Sequence, residues 1–177
     1  MQDSVNKVHE GSQHKQLEEW RVSIYKQDEN MMIAPHPFGR DITATDLIEK
    51  FSAHKQWEDR YRQLILLAKQ LPPLQEAWKK NELELTGCEN RVWLGHQHLP
   101  DGTLHFYGDS EGRIVRGLLA VILTAVEGKT PQQVLAAAPL SLFEQLGLRQ
   151  QLSTSRANGL QALAQGVQTI AAKYAER

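Results

Sequence analysis

The 177 residues contain a single cysteine, Cys88. One thiol excludes an internal disulfide. It also excludes the set of thiolates that a structural zinc or iron–sulfur site draws from one chain. An excess of either charge is missing too, since 20 basic and 21 acidic residues leave a net charge of −1. That balance supplies no general field for nucleic acid or for an anionic membrane surface. No apolar run approaches the roughly 20 residues of a transmembrane helix. The start, Met1-Gln2-Asp3-Ser4-Val5, lacks the basic-then-apolar layout of an export signal. One unpaired cysteine without such a signal suits a reducing, cytoplasmic setting. Glycine-rich phosphate loops, internal repeats and low-complexity tracts are likewise absent. The length suits one domain with a core of its own.

Two regions differ in pattern. Residues 1–33 are polar and weakly patterned, and they read as a flexible N-terminal extension. Leu17, Trp20 and Ile24 fall at helical spacing there and allow a short amphipathic helix. Residues 34–177 read as the folded domain. After the turn-rich His36-Pro37-Phe38-Gly39, Thr43 or Thr45 caps a short helix carrying Leu47, Ile48 and Phe51. A longer helix is predicted over 56–69, with Trp57, Tyr61, Leu64 and Ala68 on one stripe, and Leu71-Pro72-Pro73 ends it. A short helix is expected over 75–80. Residues 91–98 and 103–107 read as strands joined by a tight turn at Pro100-Asp101-Gly102. Gly108–Gly112 is expected to break the sheet, with Asp109 or Ser110 capping the next helix. That helix, over 113–126, is apolar on most of its surface and therefore central. Thr130-Pro131-Gln132-Gln133 restarts a helix with a threonine cap, a proline at the first position and a glutamine at the third. A last helix is predicted over 155–174, with Leu160, Leu163, Val167 and Ile170 facing inward. The sum is an α+β domain, a small antiparallel β-sheet with helices packed on one face.

Cys88 sits in Thr86-Gly87-Cys88-Glu89-Asn90-Arg91-Val92-Trp93. Free cysteines are usually buried and inert. Here the polar surroundings read as an exposed turn, and Gly87 permits a backbone that swings the thiol inward or outward. Arg91 favours the thiolate and Glu89 opposes it. The residues alone leave an inert and a reactive cysteine both open. His96 and His98 share a strand face, and with His105 and Cys88 they make a conceivable metal group. Their spacing matches no zinc signature, so a solvated strand face is the preferred reading and no metal is assigned. His9, His14, His36 and His54 suggest nothing sharper. Arg113, Arg116 and Arg156 lie near helix starts, where the dipole disfavours cations, so each asks for a carboxylate partner or a binding role. Trp93 reads as core.

The chain resembles the SufE family of sulfur acceptors, and most closely its CsdE branch. The residues that carry the resemblance are His36-Pro37-Phe38-Gly39, Trp57-Glu58-Asp59-Arg60-Tyr61-Arg62-Gln63-Leu64-Ile65, Gly87-Cys88-Glu89-Asn90-Arg91-Val92-Trp93-Leu94-Gly95, Gly108-Asp109-Ser110-Glu111-Gly112-Arg113-Ile114-Val115-Arg116-Gly117-Leu118, Ala125-Val126-Glu127-Gly128-Lys129-Thr130 and Ser155-Arg156-Ala157-Asn158-Gly159-Leu160. They run in order from about residue 36 to 170. The resemblance implies a fold shared with iron–sulfur scaffold proteins of the IscU type. It implies that Cys88 takes sulfur from a cysteine desulfurase, an enzyme that carries pyridoxal phosphate, and that the chain itself needs no cofactor. Asp109, Glu111 and Arg156 are then expected beside the Cys88 loop. Gly87, Glu89, Asn90, Arg91 and Arg116 complete the expected site. With no second cysteine, the next acceptor must be another protein, in cluster assembly or in transfer-RNA modification. Such a chain is an accessory that stimulates the desulfurase rather than an enzyme with its own turnover. A thiol enzyme of peroxidase or hydrolase type, and a purely structural interaction domain, are the rival readings.

Overall fold

A computed structural model describes residues 32–176. The helix expected around Leu17, Trp20 and Ile24, and nearly all of the expected extension, lie outside the described residues. Among the described residues there are six α-helices and one two-stranded antiparallel sheet. None of these helices is long and apolar enough to cross a membrane.

Local chemistry sets most boundaries. Helix α1 (Ala44–Ser52) begins at Thr43, whose hydroxyl accepts from Asp46 N while the Asp46 carboxylate accepts from Thr43 N. This reciprocal box satisfies two donors that a helix start leaves free. Helix α2 (Trp57–Gln70) stops before the proline pair, because Pro72 disfavours helical backbone at Leu71. The segment expected as a helix over 75–80 is instead a single 3-10 turn, Glu76–Trp78, with no side chain capping its start.

Strands β1 (Val92–His98) and β2 (Leu104–Ser110) form a hairpin, closed at Leu99–Thr103 with Gly102 in the left-handed region. β2 runs three residues past its expected end: Gly108, Asp109 and Ser110 pair with Leu94, Trp93 and Val92. The glycine admits a neighbour rather than breaking the strand. A Cβ on Gly108 would lie 2.2 Å from the Trp93 carbonyl oxygen. Asp109 and Ser110 therefore cap nothing. The N-cap of α3 (Arg113–Val126) is Gly112, with no side-chain cap.

α3 is the central helix, with eleven of its fourteen residues buried, and it packs against α2, β2 and the final helix. Gly117 lets α2 come close, since a Cβ there would sit 2.5 Å from Leu64 O. The short helices α4 (Pro131–Ala136, capped by Thr130) and α5 (Ser141–Gln145) lead to α6 (Thr154–Ala175). One face of the hairpin, with Val92, Leu94, Leu104 and Phe106, joins the helical core. The other face carries Trp93 and Tyr107 against Leu74, Trp78, Leu83 and Ile33. Trp93 is thus core, as expected, and the helices occupy one face of the sheet.

Both edges of the hairpin are met by other chain. Leu85 N donates to Val92 O at 2.8 Å beside β1. Beside β2, Leu104 N donates to Lys129 O at 2.8 Å and accepts at its carbonyl from Gly128 N at 3.0 Å.

Candidate functional site

Cys88 lies on the loop that enters β1. The loop is tied at its roots: Leu85 N reaches Val92 O, while Ser110 Oγ and Glu111 N both donate to Arg91 O, at 2.8 and 3.2 Å. No hydrogen bond fixes residues 86–90 among the described residues. Gly87 has φ +85° with open space where a Cβ would stand. Only glycine takes that backbone readily.

The thiol is half-buried against the edge of the core. It lines a cleft of about 400 Å³ together with Glu89 and Asn90 from its own loop and Val115 from α3. The start of α6 supplies Ser153, Ser155, Arg156 and Gly159. Ser153 caps α6 by accepting from Arg156 N. The positive end of that helix and the Arg156 guanidinium therefore border the cleft. Arg156 also lies 5.7 Å over the Tyr61 ring, a cation–π contact that accounts for a cation at a helix start. Gly159 leaves room for the sulfur, since a Cβ there would stand 4.0 Å from Sγ. Burial pushes the Cys88 thiol up, because a desolvated thiolate is disfavoured. Among the described residues, no histidine lines the cleft.

The expected site residues divide into two groups. Gly87, Cys88, Glu89, Asn90 and Arg156 come together. Arg91 does not serve the thiol: its guanidinium donates to Glu84 at 2.7 and 3.0 Å and stacks on Trp93. Arg116 found the carboxylate its position asks for. It pairs with buried Asp109 and donates to Ala68 O and Leu71 O, fastening the end of α2. Asp109 accepts from Leu74 N at 2.9 Å as well. These two residues hold the scaffold beneath the loop rather than line the cleft. Glu111 contributes its backbone at the loop root. Val115, Ser153, Ser155 and Gly159 were not singled out from the sequence. Val115, Ser155 and Gly159 do lie within the motifs that carry the family resemblance, and Ser153 stands three positions before Arg156.

The histidines separate differently from the strand-face reading. In the hairpin register His105 opposes Gln97, so it points away from His96 and His98. His96 bonds Tyr174 Oη at 2.8 Å and is half-buried. His105 joins His36 and Glu127 in a buried group. Glu127 accepts from Arg40, Phe106 N and His105 Nδ1. Phe38 N donates to His36 Nδ1, leaving Nε2 to donate to Phe106 O at 2.7 Å. His105 Nε2 meets Ile33 O at 2.6 Å. Every polar atom has a protein partner, and Arg40 adds a cation beside the carboxylate. The trio is a structural tie, not a vacant metal centre.

A family model for SufE, the Fe-S metabolism associated domain, matches residues 45–171. The sulfur acceptor protein CsdE of Escherichia coli (strain K12) is 57% identical over 138 residues, which are 78% of this chain and 94% of that protein. A SufE-like protein of Rhizobium meliloti (strain 1021) is 36% identical over 128 residues, 71% of this chain and 91% of that one. A solution structure of a hypothetical protein from Thermus thermophilus superposes with a TM-score of 0.61 at 20% identity, over 77% of this chain and 98% of that chain, and shares the fold. Fold and site together define an α+β protein with one loop-borne thiol. The chain belongs to the SufE family, and its likeness to CsdE agrees with the branch that the motifs indicate.

Proposed function

We propose that this protein accepts sulfane sulfur from a cysteine desulfurase on Cys88 and relays it to another protein. The observation that carries the reading is that the chain's only thiol stands half-sheltered on an untied loop within the span matched by the family.

The step is thiol–persulfide exchange. The Cys88 thiolate attacks the terminal sulfur of the donor persulfide, and a Cys88 Sγ–S bond forms. The donor's S–S bond breaks, and its cysteine leaves as a thiolate. One S–S bond is exchanged for another, so no oxidant or reductant is consumed. The donor cysteine is freed for another turnover, which is how a carrier stimulates its enzyme. Pyridoxal phosphate belongs to the desulfurase in this scheme. With one cysteine in the chain, no intramolecular thiol can discharge the persulfide, and the cleft beside α6 shelters it. Attack on a protein-bound sulfur needs a thiol freer than the half-buried one, so the loop turns outward on the partner about Gly87.

An independent thiol enzyme is disfavoured, because among the described residues no histidine lines the cleft to act as base, and burial raises the thiol. Intact mass after mixing with desulfurase and cysteine tests the proposal. Wild type gains one sulfur atom and Cys88→Ser gains none. A wild-type protein that gains none ends the reading.

A further inference from the structure

Among the described residues, 86–90 have no hydrogen bond of their own, yet they hold the thiol in the cleft. Something other than backbone pairing must seat them. Besides the packing of Cys88 against the core, one such contact is at Gly112. A Cβ built there would lie 2.6 Å from Asn90 Nδ2 and 3.0 Å from Asn90 Cγ. The Asn90 amide fills the space that a side chain at 112 would take. Gly112 has φ −90° and ψ 131°, a backbone open to any residue. What the glycine supplies is therefore room, not conformational freedom. The notch is also rigid. Glu111 N and Ser110 Oγ fasten the neighbouring Arg91 carbonyl, and α3 begins at Arg113.

We infer that Asn90, seated in the notch left by Gly112, is the catch that holds the Cys88 loop in its resting position. Both are positioning residues, and Asn90 acts on the loop through its contact with Gly112. The inference rests on the sulfur-acceptor reading for its purpose, but not for its test. A partner that draws Cys88 out must first unseat Asn90, two residues away. The catch sets how readily the thiol is offered.

The test is a double-mutant cycle read by alkylation of Cys88 with iodoacetamide in the free, full-length protein. Asn90→Ala empties the notch, and Gly112→Ala fills it from the other side. Each is expected to raise the rate about fivefold, as loss of one modest contact does, and the double variant is expected to react no faster than either single. The pH midpoint of alkylation falls in all three variants as the thiol leaves its buried seat, while thermal melting stays near wild type. Rates within twofold of wild type in the single variants, or effects that multiply in the double, overturn the catch. If Gly112→Ala does not fold, Asn90→Ala alone decides on the same rate criterion. Sulfur transfer from desulfurase is measured on the same proteins. Faster alkylation with no sulfur gained by any of them, wild type included, leaves the catch standing and removes the carrier.

Discussion

At the scale of single residues, the cleft sets a tension at Cys88. The nucleophile is the thiolate, and burial pushes the thiol up. Alkylation of the folded free protein should therefore rise with pH around a midpoint above that of the same chain unfolded in urea. A folded midpoint at or below the unfolded one would show that the start of α6 and Arg156 outweigh burial. Much of this site was legible, because the glycine, the cysteine and the polar residues after it are adjacent in sequence. Arg91 was not. Whether it serves the thiol or Glu84 depends on which way its side chain leaves the loop root, and a string of residues does not carry that direction.

At the scale of elements, the carboxylate of Glu127 joins the end of α3 to β2 and to the chain at 33–40. Burial pushes it up. Hydrogen bonds from His105 and Phe106 N, with His36 beside it and charge on His105, outweigh that and hold it at about 2. A carboxylate depressed in the folded state adds stability that is present above its ordinary value of 4.5 and is lost as pH falls toward 2. The urea midpoint of wild type should drop across that window, and Glu127→Gln should be less stable at neutral pH with a flatter acid limb. Parallel curves for the two proteins would refute it. Removing Asp109 by Asp109→Ala strands the Arg116 cation and should cost about 3–5 kcal/mol in chemical denaturation. A loss below about 1 kcal/mol would show that water replaces the partner. Helix starts such as Thr43 and Thr130 could be read from sequence because a capping box is complete within four residues. The last three residues of β2 could not. Gly108 breaks a strand or admits a neighbour according to what lies opposite, and its register partner Leu94 stands fourteen positions away.

At the scale of the whole molecule, the fold supplies a fixed frame and one released segment. In hydrogen exchange the amides of Leu85 and Glu111 should be protected, since both are bonded at the loop roots, while residues 86–90 exchange fast. Adding desulfurase should change exchange across 85–92. An unchanged pattern would place the partner elsewhere. The α+β class was readable because strand and helix periods are local signals. The pairing of Asn90 with Gly112, and of His36 with Glu127, arises only once the chain has folded. That second pairing has a wider effect. Beyond the ladder at Leu104, the Phe106 N–H is taken by Glu127 and its carbonyl by His36. Two side chains thus complete the row of hydrogen bonds that a third strand would make. This stretch of β2 offers no template for an incoming strand. A partner cannot attach there by extending the sheet, and copies of the protein cannot begin to stack there into fibrils.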